Sequence, residues 1–206
     1  MYCRNRTPSE FIGYGLYLYL LDGLSFRNAA KALKWFIKIS HISIWKWIQK
    51  YKPKKIFTKK KRKIDGYIID ETLIKVGSLE YIWLWVIIEP KDKEILAIDI
   101  SKERNMFVAE RFLSHIVKEY GQHSVLTDGG GTWYPRACKF LKVEHHIHSP
   151  FEKSIFIERT MQYIKDRTIE SFDDYFPCKK DKCKLKHVKN WLNLFADYHN
   201  KEIRLK

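Results

Sequence analysis

Three carboxylates far apart in the chain can do chemistry together: Asp70 in "YIIDET", Asp128 in "VLTDGGG" and Glu158 in "IERTMQYIK". Asp70 closes an apolar run that reads as a buried strand, Asp128 closes a second such run, and Glu158 lies on a helical stretch. Acids at the ends of buried strands are held in fixed places, and three converging carboxylates suit a hard divalent cation, Mg2+ or Mn2+. Two such ions about 4 Å apart can activate a water or a 3′-hydroxyl and stabilise the leaving oxygen of an in-line phosphoryl transfer. Each acid alone has a plainer reading: Asp before glycines is turn chemistry, and Glu on a charged helix is a solvated face. The elements that carry the three acids decide whether they meet.

From residue 64 the sequence reads as strands. "IDGYIID" is expected to end on Asp70, "EYIWLWVIIE" (80–89), apolar on both faces, to be a central strand, and "EILAIDIS" (94–101) to follow a turn at Pro90-Lys91-Asp92. A helix over 105–120 is expected to bury Phe107, Ala109, Phe112, Leu113, Ile116 and Val117. Then come the strand "SVLTD", the helix "WYPRACKFL", the strand "VEHHIHS", the longer helix "SIFIERTMQYIKDRTIE" and the amphipathic "LKHVKNWLNLFADYHN". Three antiparallel strands followed by alternating helices and parallel strands describe an α/β fold of the ribonuclease-H-like kind, a mixed five-stranded sheet flanked by helices. There the first and fourth strands end side by side and the late helix passes over them, so Asp70, Asp128 and Glu158 can converge as metal ligands. Strand alternation points Glu71 away from Asp70's face. Lys165, seven residues beyond Glu158, lies within about 20° of it around the helix.

The first 63 residues differ in kind. They hold 16 Lys/Arg against two acids, net +14, whereas residues 64–206 hold 23 against 22, net +1. An excess so localised points to a polyanion partner, because each neutralised phosphate releases counterions. A first helix is expected over 8–22, ended by Asp22-Gly23. Ser25 caps "FRNAAKALKWF", with Ala29, Ala30 and Leu33 inward, and Ser40 caps "HISIWKWIQKY", with Ile44, Trp47, Ile48 and Tyr51 inward. Two short helices joined by a tight connection read as a helix-turn-helix, a small all-α domain over 1–51. The start of its second helix would offer His41, Ile42, Ser43 and Lys46 to a major groove. Residues 52–63, "KPKKIFTKKKRK", form a basic linker whose Lys59, Lys60, Lys61, Arg62 and Lys63 suit phosphates. The catalytic domain follows over 64–206.

Other features exclude more than they suggest. Four scattered cysteines argue for reduced thiols and a cytoplasmic location, associated with the nucleoid if DNA is the partner. The basic start followed by "FIGYGLYLYLL" imitates a signal peptide, but no small-residue cleavage site follows and the run is too short to span a membrane. Cys178, Cys183 and His187 lack the paired spacing of a structural zinc site. Trp83 and Trp85 read as core or sheet-face residues, while Trp133 and Tyr134, close to Asp128, could stack on a DNA base.

In combination these pieces resemble the short DDE-type transposases of bacterial and archaeal insertion sequences. The resemblance rests on a helix-turn-helix before "DET" (Asp70 to Thr72), "TDGG" (Thr127 to Gly130) with Trp133-Tyr134 after it, and Glu158 followed seven positions on by Lys165. It covers nearly the whole chain. It implies two divalent ions held by Asp70, Asp128 and Glu158, cleavage of double-stranded DNA at terminal inverted repeats, and joining of the 3′ ends to target DNA. It also implies Lys165 and Arg159 on the DNA backbone and a homodimer or larger assembly. The 29 residues between Asp128 and Glu158 are fewer than is usual in that family. A nuclease that cuts without joining, and a decayed copy that only binds DNA, are the alternatives.

Overall fold

The computed structural model describes residues 7–51, 64–76, 80–129, 132–147, 154–172 and 184–205. The run Lys59 to Lys63, and Cys3, Cys178 and Cys183, lie outside the described residues. Three helices come first: α1 (Ser9–Leu20), α2 (Phe26–Leu33) and α3 (His41–Lys50). Strands β1 (Tyr67–Lys75), β2 (Tyr81–Ile88) and β3 (Ile95–Ser101) follow, then α4 (Met106–Tyr120), β4 (Val125–Thr127), α5 (Trp133–Leu141), β5 (His145–Ile147), α6 (Ser154–Phe172) and α7 (Leu185–Leu205).

The strands form one mixed sheet in the order β3-β2-β1-β4-β5. Here β1 pairs antiparallel with β2 and parallel with β4, β2 pairs antiparallel with β3, and β4 pairs parallel with β5. This is the ribonuclease-H-like arrangement. The middle strand is β1, with the apolar β2 beside it. Contrary to the sequence expectation, β1 does not end on Asp70. Asp70, Glu71 and Thr72 interrupt the apolar run but not the ladder, because β2 is long enough to pair with β1 as far as Lys75, opposite Tyr81.

Apolar residues cover both faces of the sheet. Ile68 and Ile74 of β1 join α1, α2, α3, α6 and α7 in one cluster, whereas Tyr67 and Ile69 join α4 and α5 in another. The N-terminal helices therefore share a core with the sheet. The side chains of Trp191, Leu192, Leu194 and Phe195 on α7 are buried in the same cluster as Ile12, Leu16, Leu33, Ile44 and Ile48. Across the seam, Asn190 donates to the carbonyls of Ile48 (3.0 Å) and Tyr51 (3.3 Å). Above the sheet's edge, Asn200 of α7 accepts from the N–H of Ile95 at 2.8 Å and donates to its carbonyl at 2.9 Å.

Some local expectations are corrected. Ser25 caps α2 by accepting from the N–H of Asn28, but Ser40, at the start of α3, makes no such bond and instead meets the Ser43 hydroxyl at 3.5 Å. The connection from Lys34 to Ser40 has seven residues, longer than the three or four typical of a helix-turn-helix. Phe107 is 73% exposed, because it stands about 160° around α4 from Ala109, and so opposite the Ala109, Phe112, Leu113 and Ile116 stripe that is buried. Among the described residues no helix is long and apolar enough to cross a membrane.

Candidate functional site

The parallel pairing of β1 with β4 places the first two acids. Ile68 lies opposite Leu126, and Asp70 and Asp128 each stand two residues beyond that pair. A period of two keeps Asp70 on the face of Ile68, toward α6. Thr127 is fully buried, and its hydroxyl contacts His145 Nε2 at 2.9 Å and accepts from the N–H of Gly129 at 3.3 Å. Gly129 has φ +81°, and a Cβ there would come within 3.0 Å of Ile147. The glycine after Asp128 is thus required by the turn that carries Asp128 past the end of β4.

Glu158 enters from α6, which packs on β1 and β2 through Ile157, Met161 and Ile164. Glu158 and Lys165 lie along one side of that buried stripe, Glu158 exposed and Lys165 half-buried, whereas Arg159 is exposed and turned to the outer side of the helix. Asp70 feels the charge of both other acids. The Asp70 carboxyl is raised to about 7, by burial first, then by Glu71, with Asp128 and Glu158 adding to the rise and the Glu71 N–H, 2.8 Å from Oδ1, opposing it. Among the described residues no three His, Cys, Asp or Glu side chains are already close enough together to hold an ion. The donor set nevertheless fits a hard cation, since a carboxyl this reluctant to ionise beside two further acids gains most from a positive charge.

Behind Asp70, on the opposite face, is an arrangement that sequence reasoning missed. Glu71 points away from Asp70, as alternation requires, and its side chain is only 3% exposed. Its Oε1 accepts from Arg104 Nε at 2.7 Å and Nη2 at 2.6 Å, and its Oε2 accepts from the hydroxyl of Tyr134. Arg104 lies over the rings of both Trp83 and Trp133, 4.7 Å from each centroid. This network ties β1 to the start of α5, immediately beyond the Asp128 turn. Tyr134 is buried to 1% exposure against Trp85, so its ring is not placed to stack on a base. One face of the half-buried Trp133 is taken by Arg104. The only clue in the sequence was that Glu71 must face the α4–α5 layer and needs a cation there.

The proposed groove readers stand on the first two turns of α3. His41, Ile42 and Lys46 are exposed and Ser43 is half-buried, while Ile44, Trp47 and Ile48 hold the helix to the core.

Residues 64–196 match the DDE domain of the IS240 transposase type. The chain belongs to that DDE family. It is also 34% identical, over 97% of its length and 90% of the relative's, to the uncharacterized protein MJ0017 of Methanocaldococcus jannaschii. Two solved structures, each 16% identical, share features of its shape. One is the simian T-cell lymphotropic virus intasome in complex with PP2A regulatory subunit B56 gamma, with a TM-score of 0.49 over 88% of this chain and 67% of that one. The other is the HTLV-2 integrase catalytic core domain in complex with magnesium, with a TM-score of 0.40 over 50% and 68%. The DDE family places the chain among enzymes of the polynucleotidyl-transferase type.

Proposed function

We propose that this DDE protein is a transposase that cuts DNA at the 3′ ends of an insertion sequence and joins those ends to target DNA. The observation that carries the reading is the coupling of Asp70, on the central strand, to Asp128 beyond the parallel neighbour and Glu158 on the crossing helix. Asp70, Asp128 and Glu158 would hold two Mg2+ or Mn2+ ions, which supply Lewis-acid activation of the attacking oxygen and stabilise the leaving one. In the first step a water oxygen bonds to phosphorus as the bond to the 3′ oxygen breaks, leaving a 3′-hydroxyl and a 5′-phosphate. In the second, that hydroxyl attacks a target phosphodiester, so one bond to phosphorus replaces another and no covalent enzyme intermediate forms. Lys165, beside Glu158, holds the scissile backbone, with Arg159 reaching phosphates farther out. The Glu71–Arg104–Tyr134 network fixes the strand and turn that present Asp70 and Asp128.

DNA docking falls to residues 1–51, with His41, Ile42, Ser43 and Lys46 reading the terminal repeat and the basic segment 52–63 following the phosphates. Two element ends must be held together, so the working form is a homodimer or larger assembly. The test uses labelled duplexes carrying the repeats that flank the gene, with Mg2+ and a target plasmid. Asp70→Asn, Asp128→Asn and Glu158→Gln should each abolish cleavage and joining while end binding persists. Normal cleavage by any of the three removes that residue from the site. Cleavage by the unaltered chain with no joined product would make it a nuclease instead.

A further inference from the structure

The turn between α2 and α3 exposes what a folded protein normally hides. Trp35 is 91% exposed and Phe36 69%, with Ile42 (50%) and Trp45 (44%) following on α3. Phe36 leans on Phe11 of α1 at a ring separation of 6.3 Å, which steadies the turn, while Trp35 projects. The same stretch, residues 23–50, holds six Lys/Arg and no Asp or Glu, and Lys34 and Lys38 flank the two rings. Large exposed aromatics usually mark an interaction surface. The interleaved lysines argue against a protein partner, since lysine is depleted at protein–protein interfaces. Flat rings among cations match a nucleic acid whose bases can be stacked upon while its phosphates are neutralised. An indole reads no base edges as an Arg or Asn does, so its ring is used only where a base is unpaired or a step is opened.

We propose that the Lys34–Ser40 turn is a stacking site for unpaired DNA bases, with Trp35 as the platform and Lys34 and Lys38 on the adjoining phosphates. This rests on the reading of residues 1–51 as the DNA-docking part, and adds that they grip a frayed or single-stranded segment as well as duplex. A stacking turn beside a reading helix would hold an element end open as its strand is cut.

The experiment compares the full-length chain with its Trp35→Ala and Trp35→Phe variants, by fluorescence anisotropy at one salt concentration. The probes are a blunt duplex, the same duplex with a single-stranded thymidine tail, and a thymidine oligomer. Trp35→Ala should lose about tenfold in affinity or more for the tailed and single-stranded probes and little for the blunt duplex, and Trp35→Phe should recover most of that loss. Equal affinity of Trp35→Ala and the unaltered chain for the tailed probe overturns the proposal, as does an equal loss on the blunt duplex. A change in sedimentation with DNA binding intact would assign the turn to contact between copies. Loss of binding only to anionic phospholipid vesicles would assign it to a membrane surface; either result also overturns the proposal. Blunt-duplex binding by the unaltered chain tests the docking reading itself, so the two can fail separately.

Discussion

Asp70 keeps its proton to about pH 7 because ionising it places charge in a buried spot beside Glu71, Asp128 and Glu158. Its folded-state value lies above the ordinary 3.8, so the metal-free protein gains stability from the protonated acid at low pH and loses that gain as pH rises toward 7. Asp70→Asn, which never ionises, should therefore melt higher than the unaltered chain above pH 7 in chelator, with the difference closing toward pH 4. Added Mg2+ should raise the melting temperature of the unaltered chain and leave Asp70→Asn unmoved. Thermal melts across that range with and without Mg2+ check both. The opposite behaviour is expected behind the strand. Arg104→Ala strands the buried Glu71 carboxylate and should cost about 3 kcal/mol in urea unfolding, whereas Glu71→Gln with Arg104→Met should cost less than Arg104→Ala alone. The placement of the acids on β1, just past β4 and on α6 was legible, because the apolar runs and the helical stripe that carry them are visible in the sequence. Arg104 was not, since it lies 33 residues from Glu71 in a loop and nothing local shows which strand it will meet. Tyr134 was misread for a similar reason: an aromatic after a glycine turn looks exposed until the Trp85 layer beneath it is known.

At the level of elements, the helices of both halves were readable from apolar spacing, but their mutual docking was not. An amphipathic stripe shows which side is buried, not against what. The junction between α6 and the α1–α2 turn is one case. Tyr163 of α6 donates to the Leu21 carbonyl at 2.8 Å, and a Cβ on Gly23, at φ +69°, would fall 1.6 Å from Arg167 Nη1. Gly23→Ala should thus both strain the turn and displace the guanidinium, at about 1–2 kcal/mol. Because the displaced residue lies on the helix of Glu158 and Lys165, cleavage at saturating DNA should fall while end affinity holds; unchanged turnover would mean that α6 is held elsewhere. On α3 the split is reversed. Replacing His41, Ser43 or Lys46 should cost about 1–3 kcal/mol on the cognate repeat and little on scrambled duplex, as paired equilibrium titrations would show.

Across the whole molecule the two halves differ in charge but not in core. The net +14 of residues 1–63 should make duplex affinity fall with salt at a log-log slope of about −0.9 per phosphate contacted. The apolar cluster that runs from α1–α3 through α6 and α7 to the sheet should make unfolding a single calorimetric transition; two resolved transitions would show the basic helices to be separately stable. The composition shift at 52–63 was visible in the sequence, and the burial of α7 against both halves was not. One last feature bears on what the molecule avoids. β3 is an edge of the sheet, and an edge with free N–H and C=O groups is a template on which other chains can polymerise. The Asn200 carboxamide occupies both groups of Ile95 as a neighbouring strand would. It thereby acts as a molecular stopper at that point of the edge, leaving Ile95 nothing with which to recruit a foreign strand.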